Sequence, residues 1–237
     1  MNLIILEDQD FIDPTQVRIT GGRHLHLTSV LKVQPGDTLC VGKLNGPQGE
    51  AQVTSVTSDT IILTLGTLAQ PSPPTLPVTL ILGLPRPKML QRTLQTIATM
   101  GVEKLCLIQT SRVEKSFWQT PLLKPENVHE QLVLGLEQGK ATQLPVVEYH
   151  PRFRPFIEDV LPALCQNSRR LIAHPGDHAP ATAVDTSTPT LLAVGPEGGF
   201  IDTEVERFMA LEFQPVQLGQ RILRVETAIP VLLAKLF

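Results

Sequence analysis

Two textures of apolar and polar positions divide the chain. Up to about residue 70, apolar residues come in short runs: residues 3–6, Asp37 to Val41, Glu50 to Val56 and Ile61 to Leu65 predict strands. Asn45-Gly46, Gly49 and Ser58-Asp59 supply turn signals between them. A short helical stretch follows Gly21-Gly22, with Leu25, Val30 and Leu31 placed inward. Closely spaced strands of this kind close naturally into a small barrel. Ala69 to Pro77 then holds four prolines in nine residues and no charge, which predicts a semi-rigid linker over residues 71–77, between a domain at 1–70 and another at 78–237.

From Val78 the pattern alternates between strand and helix. Val78 to Leu82, Leu105 to Ile108, Val146-Val147, Leu171 to Ala173, Leu191 to Val194 and Pro215 to Gln217 read as strands. Between them, Pro87 opens a helix carrying Leu90, Leu94, Ile97 and Ala98 on one stripe, with Gly101 to end it. Pro125 opens a second, with Val128, Leu132 and Leu136 on one face, and Phe156 to Leu164 reads as helical against the objection of Pro162. After the glycine-bearing loop at residues 195–200 a further predicted helix has Asp202 or Thr203 as cap, Glu206 completing a capping box with Thr203, and Val205, Phe208 and Met209 as its buried stripe. Strands interleaved with helices predict an α/β domain with a mostly parallel sheet covered on both faces.

Composition narrows the function classes. No apolar run is long enough to span a bilayer, and the N-terminus has no basic region before its short apolar stretch, so the expected address is cytoplasmic, without a membrane partner. Cys40, Cys106 and Cys165 lie far apart with no His or Cys at ligand spacing; they predict reduced, buried thiols and no metal site. His129, His150, His174 and His178 likewise lack metal spacing. The first 70 residues carry four Lys/Arg against seven Asp/Glu, so the whole net charge of −3 sits there and any nucleic-acid contact must come from the placement of a few cations.

The candidate chemistry is concentrated in two runs near the C-terminal end, Gly195-Pro-Glu-Gly-Gly-Phe200 and Leu218-Gly-Gln-Arg-Ile-Leu-Arg-Val-Glu-Thr-Ala228. Each follows a predicted strand and leads into a predicted helix, which is where open α/β sheets bind ligands. Glycines 195, 198 and 199 bring bare backbone against a ligand, and two arginines, a glutamate and a threonine stand among apolar residues in the second run. No Lys-Ser/Thr follows the first loop, and Gly83-Leu-Pro-Arg-Pro-Lys after the first α/β strand is not GxGxxG, so phosphate cradling in either style is disfavoured. A ligand read by backbone groups and one acid fits, an adenosine-bearing cofactor with a cationic sulfur among the possibilities.

These two runs resemble the C-terminal motifs of the RsmE family, bacterial methyltransferases of uridine N3 in small-subunit ribosomal RNA. Further resemblances are His26-Leu27 through Val30-Leu31-Lys32 to Gly36-Asp37, Met89 to Gly101-Val102, Ser111-Arg112 and Glu137-Gln138. Lys32 stands where the family has Arg, Thr99-Met100 replace Glu-Leu, and the Arg before Pro145 is missing. The resemblance implies a PUA-like β-barrel joined to a SPOUT-type α/β domain with a trefoil knot, a homodimer, S-adenosylmethionine as cofactor, and ribosomal RNA or the small ribosomal subunit as partner. Carried over by position, Gly195, Glu197, Gly198, Gly199, Leu218, Gly219, Ile222 and Leu223, with Thr227, would line the cofactor pocket, and Leu171, Ala173 and His174 would form a third wall.

The implied reaction needs the imide proton of uridine N3 to leave. Arg224 can fork two N–H groups onto a carbonyl oxygen where negative charge collects, with Glu226 fixing its orientation; Glu226, Glu197 or water could take the proton. The other reading of Arg224 and Glu226 is an ion pair holding the fold together. Arg86, Lys88, Arg92, Arg112 and Lys115 are candidates for phosphate contacts or plain solvated surface, as is Lys32. His24 and His26 either meet RNA or serve packing and capping; Phe117 and Trp118 either stack on bases or fill a core or dimer contact. Two alternatives stay open: a related methyltransferase acting on another RNA site, and a non-catalytic RNA-binding dimer.

Overall fold

The computed structural model describes residues 2–237. The chain divides into two compact units, one of residues 1–74 with 136–144, the other of residues 75–135 with 145–237.

The first unit is built on a six-stranded sheet. In chain order its elements are β1 (Ile4–Leu6), β2 (Phe11–Asp13), β3 (Gln16–Thr20), α1 (Gly21–Ser29), β4 (Thr38–Lys43), β5 (Gln48–Val56) and β6 (Thr60–Leu65). The strand order is β1-β4-β5-β6-β3-β2, with only the β1–β4 pair parallel. Alternation does the sorting: Val17, Ile19, Val53, Ile61 and Leu63 turn inward with Ile4, Leu6, Val41 and Leu27 of the helix, and their neighbours face out. Residues 136–144 are tied to this sheet by hydrogen bonds. Asn45 N–H donates to Thr142 O at 2.8 Å, the Thr142 hydroxyl to Gly46 O at 2.6 Å, and Gln48 Nε2 to Lys140 O at 2.9 Å. A Cβ on Gly42 would lie 2.6 Å from the Thr142 methyl, so only glycine fits there.

The inward face of α1 differs from the expected one. Leu25, Val30 and Leu31 are exposed, while Leu27 and His24 are buried. Leu25 lies two positions from Leu27, about 200° round the helix, and Val30 and Leu31 fall beyond its last turn.

Two charged groups are buried in this unit. Asp10 holds Arg23 through two contacts of 2.5 and 2.8 Å, and Arg23 also donates to Ile5 O at 2.9 Å. Glu137 is 2% exposed and its carboxylate accepts from Ile5 N–H at 3.2 Å; burial pushes its pKa up to about 7. The folded chain therefore binds more protons than the unfolded one between the ordinary carboxylate pKa and pH 7. This contribution to stability is whole below the unfolded pKa and is lost as pH rises to about 7. Glu137→Gln keeps an acceptor for Ile5 N–H and removes the titration. Its stability, followed by urea unfolding, is expected to gain about 1–3 kcal/mol on wild type between acid and neutral pH; an unchanged pH profile would refute the assignment.

The second unit is a parallel seven-stranded sheet. Its elements are β7 (Leu76–Gly83), α2 (Pro87–Thr99), β8 (Val102–Ile108), α3 (Pro125–Gly139, whose last turn belongs to the first unit), β9 (Val146–His150), α4 (Phe153–Pro155), α5 (Leu161–Leu164), β10 (Arg169–Ala173), β11 (Ala179–Pro180), β12 (Thr190–Val194), α6 (Asp202–Ala210), β13 (Gln214–Gln217) and α7 (Val225–Leu236). The order is β11-β13-β10-β12-β7-β8-β9. β12 is buried at every position and β7 from Leu80 to Gly83, as apolar runs covered on both faces must be. The chain runs outward from β7 through β8 to β9, then returns to place β12 between β10 and β7; that reversal is the switch point of the sheet.

One face is filled by an aromatic group, with Phe208 at ring-centroid distances of 5.2 Å from Phe200, 5.1 Å from Phe213 and 6.1 Å from Phe153. On the other face α2 packs against α7. Between α4 and α5, Phe156–Val160 forms a π-helical turn, with Leu161 N–H reaching back to Phe156 O. Pro162 explains the widening, because it cannot donate to Glu158 O. Cys106 and Cys165 are buried as expected, whereas Cys40 is exposed; burial, with Glu148 alongside, pushes the Cys106 thiol up to about 12.

In α6 the expected cap and stripe shift. Ile201 is the N-cap and Glu204, not Glu206, is the acid that turns back onto it. Glu204, Val205 and Phe208 form the buried face, and Met209, one step further round, is 49% exposed.

Candidate cofactor site

The two glycine-bearing turns leave β12 and β13, which flank β10 on its two sides. His174 follows β10, so three successive strand ends supply one rim of the sheet. The first turn is tight. A Cβ on Gly195 would lie 2.9 Å from Gly199 C and Phe200 N, and Gly199, at φ +73°, donates its N–H to Pro196 O at 2.7 Å. Pro196 itself rests on the end of β7: a Cβ on Gly83 would come within 2.5 Å of its Cδ. Phe200 anchors the loop in the aromatic core.

Side chains fix the loop from outside. Arg86 N–H, at the N-cap of α2, donates to Glu197 Oε1 at 3.0 Å, which sets a carboxylate at the positive end of that helix. Arg112 donates to Gly198 O. Glu204, 3% exposed, accepts Ser111 N–H at 2.7 Å on one oxygen and Ile201 N–H at 3.1 Å on the other, and so joins the Arg112 segment to the start of α6. Gln109 continues the brace: its side chain donates to Val113 O at 2.9 Å and accepts Trp118 Nε1–H at 2.6 Å. Trp118 is thus a half-buried part of this loop.

The second turn is more open. Gly219 has φ +120°, and a Cβ placed on it would meet nothing within 4 Å, so backbone conformation and not crowding requires glycine. Its N–H donates to the Gln217 side chain. Leu218 and Leu223 are half-buried, Arg221 and Arg224 are exposed, and Ile222 is 84% exposed. Arg224 is the N-cap of α7, its carbonyl accepting Thr227 N–H at 2.9 Å and Ala228 N–H at 2.7 Å. Its guanidinium has no hydrogen bond or ion pair among the described residues. The expected Arg224–Glu226 pairing is not among the contacts of the described residues: side chains two apart at a helix start do not face each other. Glu226 is half-buried in the first turn of α7 and Thr227 exposed.

On the third side, Leu171 is buried in β10 while Ala173 and His174 are half-buried. His174 N–H donates to Val216 O at 3.0 Å, and its ring lies 5.7 Å from that of His178. Burial first, then His178, lowers the His174 pKa, which favours the neutral imidazole.

The residues expected to meet RNA are distributed over both units. Arg86, Lys88, Arg92 and Arg112 are exposed in the second, the first three at the start of α2. In the first unit Lys32 is exposed, but His24 is buried and its Nε2 lies 3.0 Å from Thr57 O, a bond that occupies the ring within its own unit. Sequence reasoning missed Glu204 and Gln109. The acid three residues after the N-cap was the available signal for Glu204; nothing local marked Gln109.

Residues 71–236 match the model of the RNA methyltransferase domain. Over the whole length the chain is 31% identical to the ribosomal RNA small subunit methyltransferase E of a Synechocystis species, covering 98% of this chain and 76% of that protein. It is 27% identical to the protein of the same name from Treponema pallidum, covering 96% and 87%. Among solved structures, the ribosomal RNA small subunit methyltransferase E of Neisseria gonorrhoeae bound to S-adenosyl methionine superposes with a TM-score of 0.76 at 22% identity, covering 99% of this chain and 94% of that one. From the family match over residues 71–236 and the 31% identity over 98% of its length, the chain belongs to the RNA methyltransferase domain family, in its ribosomal RNA small subunit methyltransferase E branch.

Proposed function

We propose that this protein transfers the methyl group of S-adenosylmethionine to N3 of a uridine in small-subunit ribosomal RNA. The observation that carries this reading is the uncommitted guanidinium of Arg224, exposed at the head of α7 where the second backbone-lined turn ends, the first turn leaving the strand on the other side of β10. The site fits the cofactor: main-chain groups at Gly195, Gly198, Gly199, Leu218 and Gly219, the apolar side chains of Leu171, Leu218, Ile222 and Leu223, and one acid, Glu197. When bound, the cofactor supplies an electrophilic sulfonium methyl.

The chain's own residues then have separable work. Arg224 places two N–H donors where charge gathers on a uracil carbonyl as the N3 proton leaves. The turns hold the acceptor nitrogen in line, which removes an orientation cost. Glu226, in the first turn of α7, or water takes the proton; Glu197 has one oxygen already engaged by Arg86 N–H and is better placed to fix the loop. Arg86, Lys88, Arg92 and Arg112 meet phosphate, and Lys32 serves the same purpose from the first unit.

The same reading takes residues 1–70 as a PUA-like barrel joined in its unit by residues 136–144, 71–77 as the linker, whose last two residues already belong to β7, and the rest of 78–237 as a SPOUT-type domain with a knotted C-terminal segment, working as a cytoplasmic homodimer. β12 inserted between β7 and β10, and α7 lying against α2, support the threaded segment. No helix among the described residues is long and apolar enough to cross a membrane.

The test is direct. Small-subunit ribosomal RNA from cells lacking the gene, incubated with purified protein and cofactor, is expected to gain one N3-methyluridine by mass spectrometry. A methyl on another base would assign a different target. RNA binding with no calorimetric signal for S-adenosylmethionine would make the protein a non-catalytic binder.

A further inference from the structure

The register of β8 and β9 brings together three metal-ligating groups that lie far apart in sequence. Cys106 pairs with Glu148, Ile108 with His150 and Lys104 with Val146. Side chains two apart share a face of a sheet, so Lys104, Cys106, Glu148 and His150 point the same way. Cys106 Sγ lies 3.7 Å from Glu148 Oε2 and His150 Nε2 lies 3.4 Å from that oxygen, with all three ligand atoms within 4.8 Å of one another. Zinc bonds of ordinary length set sulfur, nitrogen and oxygen ligands about 3.3–3.6 Å apart around a tetrahedron. Two of the three edges are therefore near bound lengths already.

The surroundings hold these groups in place. Lys104 Nζ sits 2.7 Å from Glu148 Oε1, which leaves Oε2 turned to the sulfur and the imidazole. The His150 ring packs against Phe156 at a centroid distance of 4.7 Å, the two planes tilted by 46°. Cys106 is fully buried, while the side chains of His150 and Glu148 are 17% and 37% exposed, so an ion can arrive from the Glu148 side. A thiolate and a carboxylate offset a divalent cation, the imidazole binding as the neutral ring, and Lys104 on the outer oxygen of Glu148 leaves the cluster with one positive charge over. A sulfur–nitrogen–oxygen set selects zinc over calcium or magnesium, which take oxygen ligands.

We propose that Cys106, Glu148 and His150 bind one zinc ion that staples the edge strand β9 to β8, with water in the fourth position. Binding replaces the thiol proton, which passes to solvent. The site is independent of the methyl-transfer reading, and its readout is not activity. Metal-stripped protein is titrated with cobalt(II) while thiolate-to-cobalt charge transfer is followed, and with zinc against a chromophoric chelator.

One equivalent per chain with a charge-transfer band, and a raised Tm on zinc addition reversed by chelator, are expected. Cys106→Ser is expected to remove the band, and both it and His150→Asn to weaken zinc by about 100-fold or more; Lys104→Met, acting only through Glu148, by about tenfold. His150→Asn, at a partly exposed position, carries the test if Cys106→Ser does not fold. Absence of the band at one equivalent, or unchanged affinity in the folded variants, would overturn the proposal and leave a Cys–Glu–His hydrogen-bonded cluster.

Discussion

Arg224→Ala is expected to lower single-turnover methylation by about 100- to 1000-fold, the loss typical of removing one preorganised donor from developing negative charge. Cofactor affinity and the elution volume on gel filtration stay close to wild type. The reason is local. The backbone of Arg224 caps α7 through its carbonyl, which alanine retains, whereas its side chain is exposed and holds nothing in place. Global stability should move by less than about 0.5 kcal/mol. Arg224→Lys should recover only part of the rate, since an ammonium cannot present the planar fork. Calorimetry, gel filtration and a single-turnover assay separate the outcomes: a parallel fall in all three would make Arg224 structural.

Glu204→Ala is expected to cost about 3 kcal/mol of stability, because two backbone N–H groups lose a charged acceptor at once. Those donors belong to different segments, Ser111 beside Arg112 and Ile201 at the head of α6. Their loss also frees the Arg112 guanidinium from Gly198 O, so cofactor affinity should fall with stability. Glu204→Gln, which retains one oxygen but sets an amide against a donor, should lie between the two. Urea unfolding gives the stability change; a loss below about 0.5 kcal/mol would show that water replaces the carboxylate without penalty.

Much of the parallel sheet was legible because its strands are buried on both faces. The runs at Val78 to Leu82, broken only by Thr79, and at Leu191 to Val194 are apolar on both faces, so little decision about facing was needed. The stripe Leu90, Leu94, Ile97 and Ala98 was equally plain, and all four are buried. Amphipathic pieces with few apolar residues were harder. In α1 the choice of Leu25 over Leu27 depended on which side of a nine-residue helix meets the sheet, and a short helix tolerates either. In α6, moving the cap from Thr203 to Ile201 carried the buried face round with it.

The order of residues alone determined the two textures, the glycine turns at strand ends and the presence of two arginines among apolar neighbours, because each rests on properties of a residue and the few beside it: φ > 0 at Gly199 and Gly219, or a continuous apolar run. Folding decided which charges are free and which are spent. Glu197 on Arg86 N–H, Glu204 on Ser111 N–H and Cys106 beside Glu148 and His150 are meetings across crossovers of tens of residues. Strand order and register set those meetings, and both follow from how whole faces bury against one another, a quantity that no window along the chain contains.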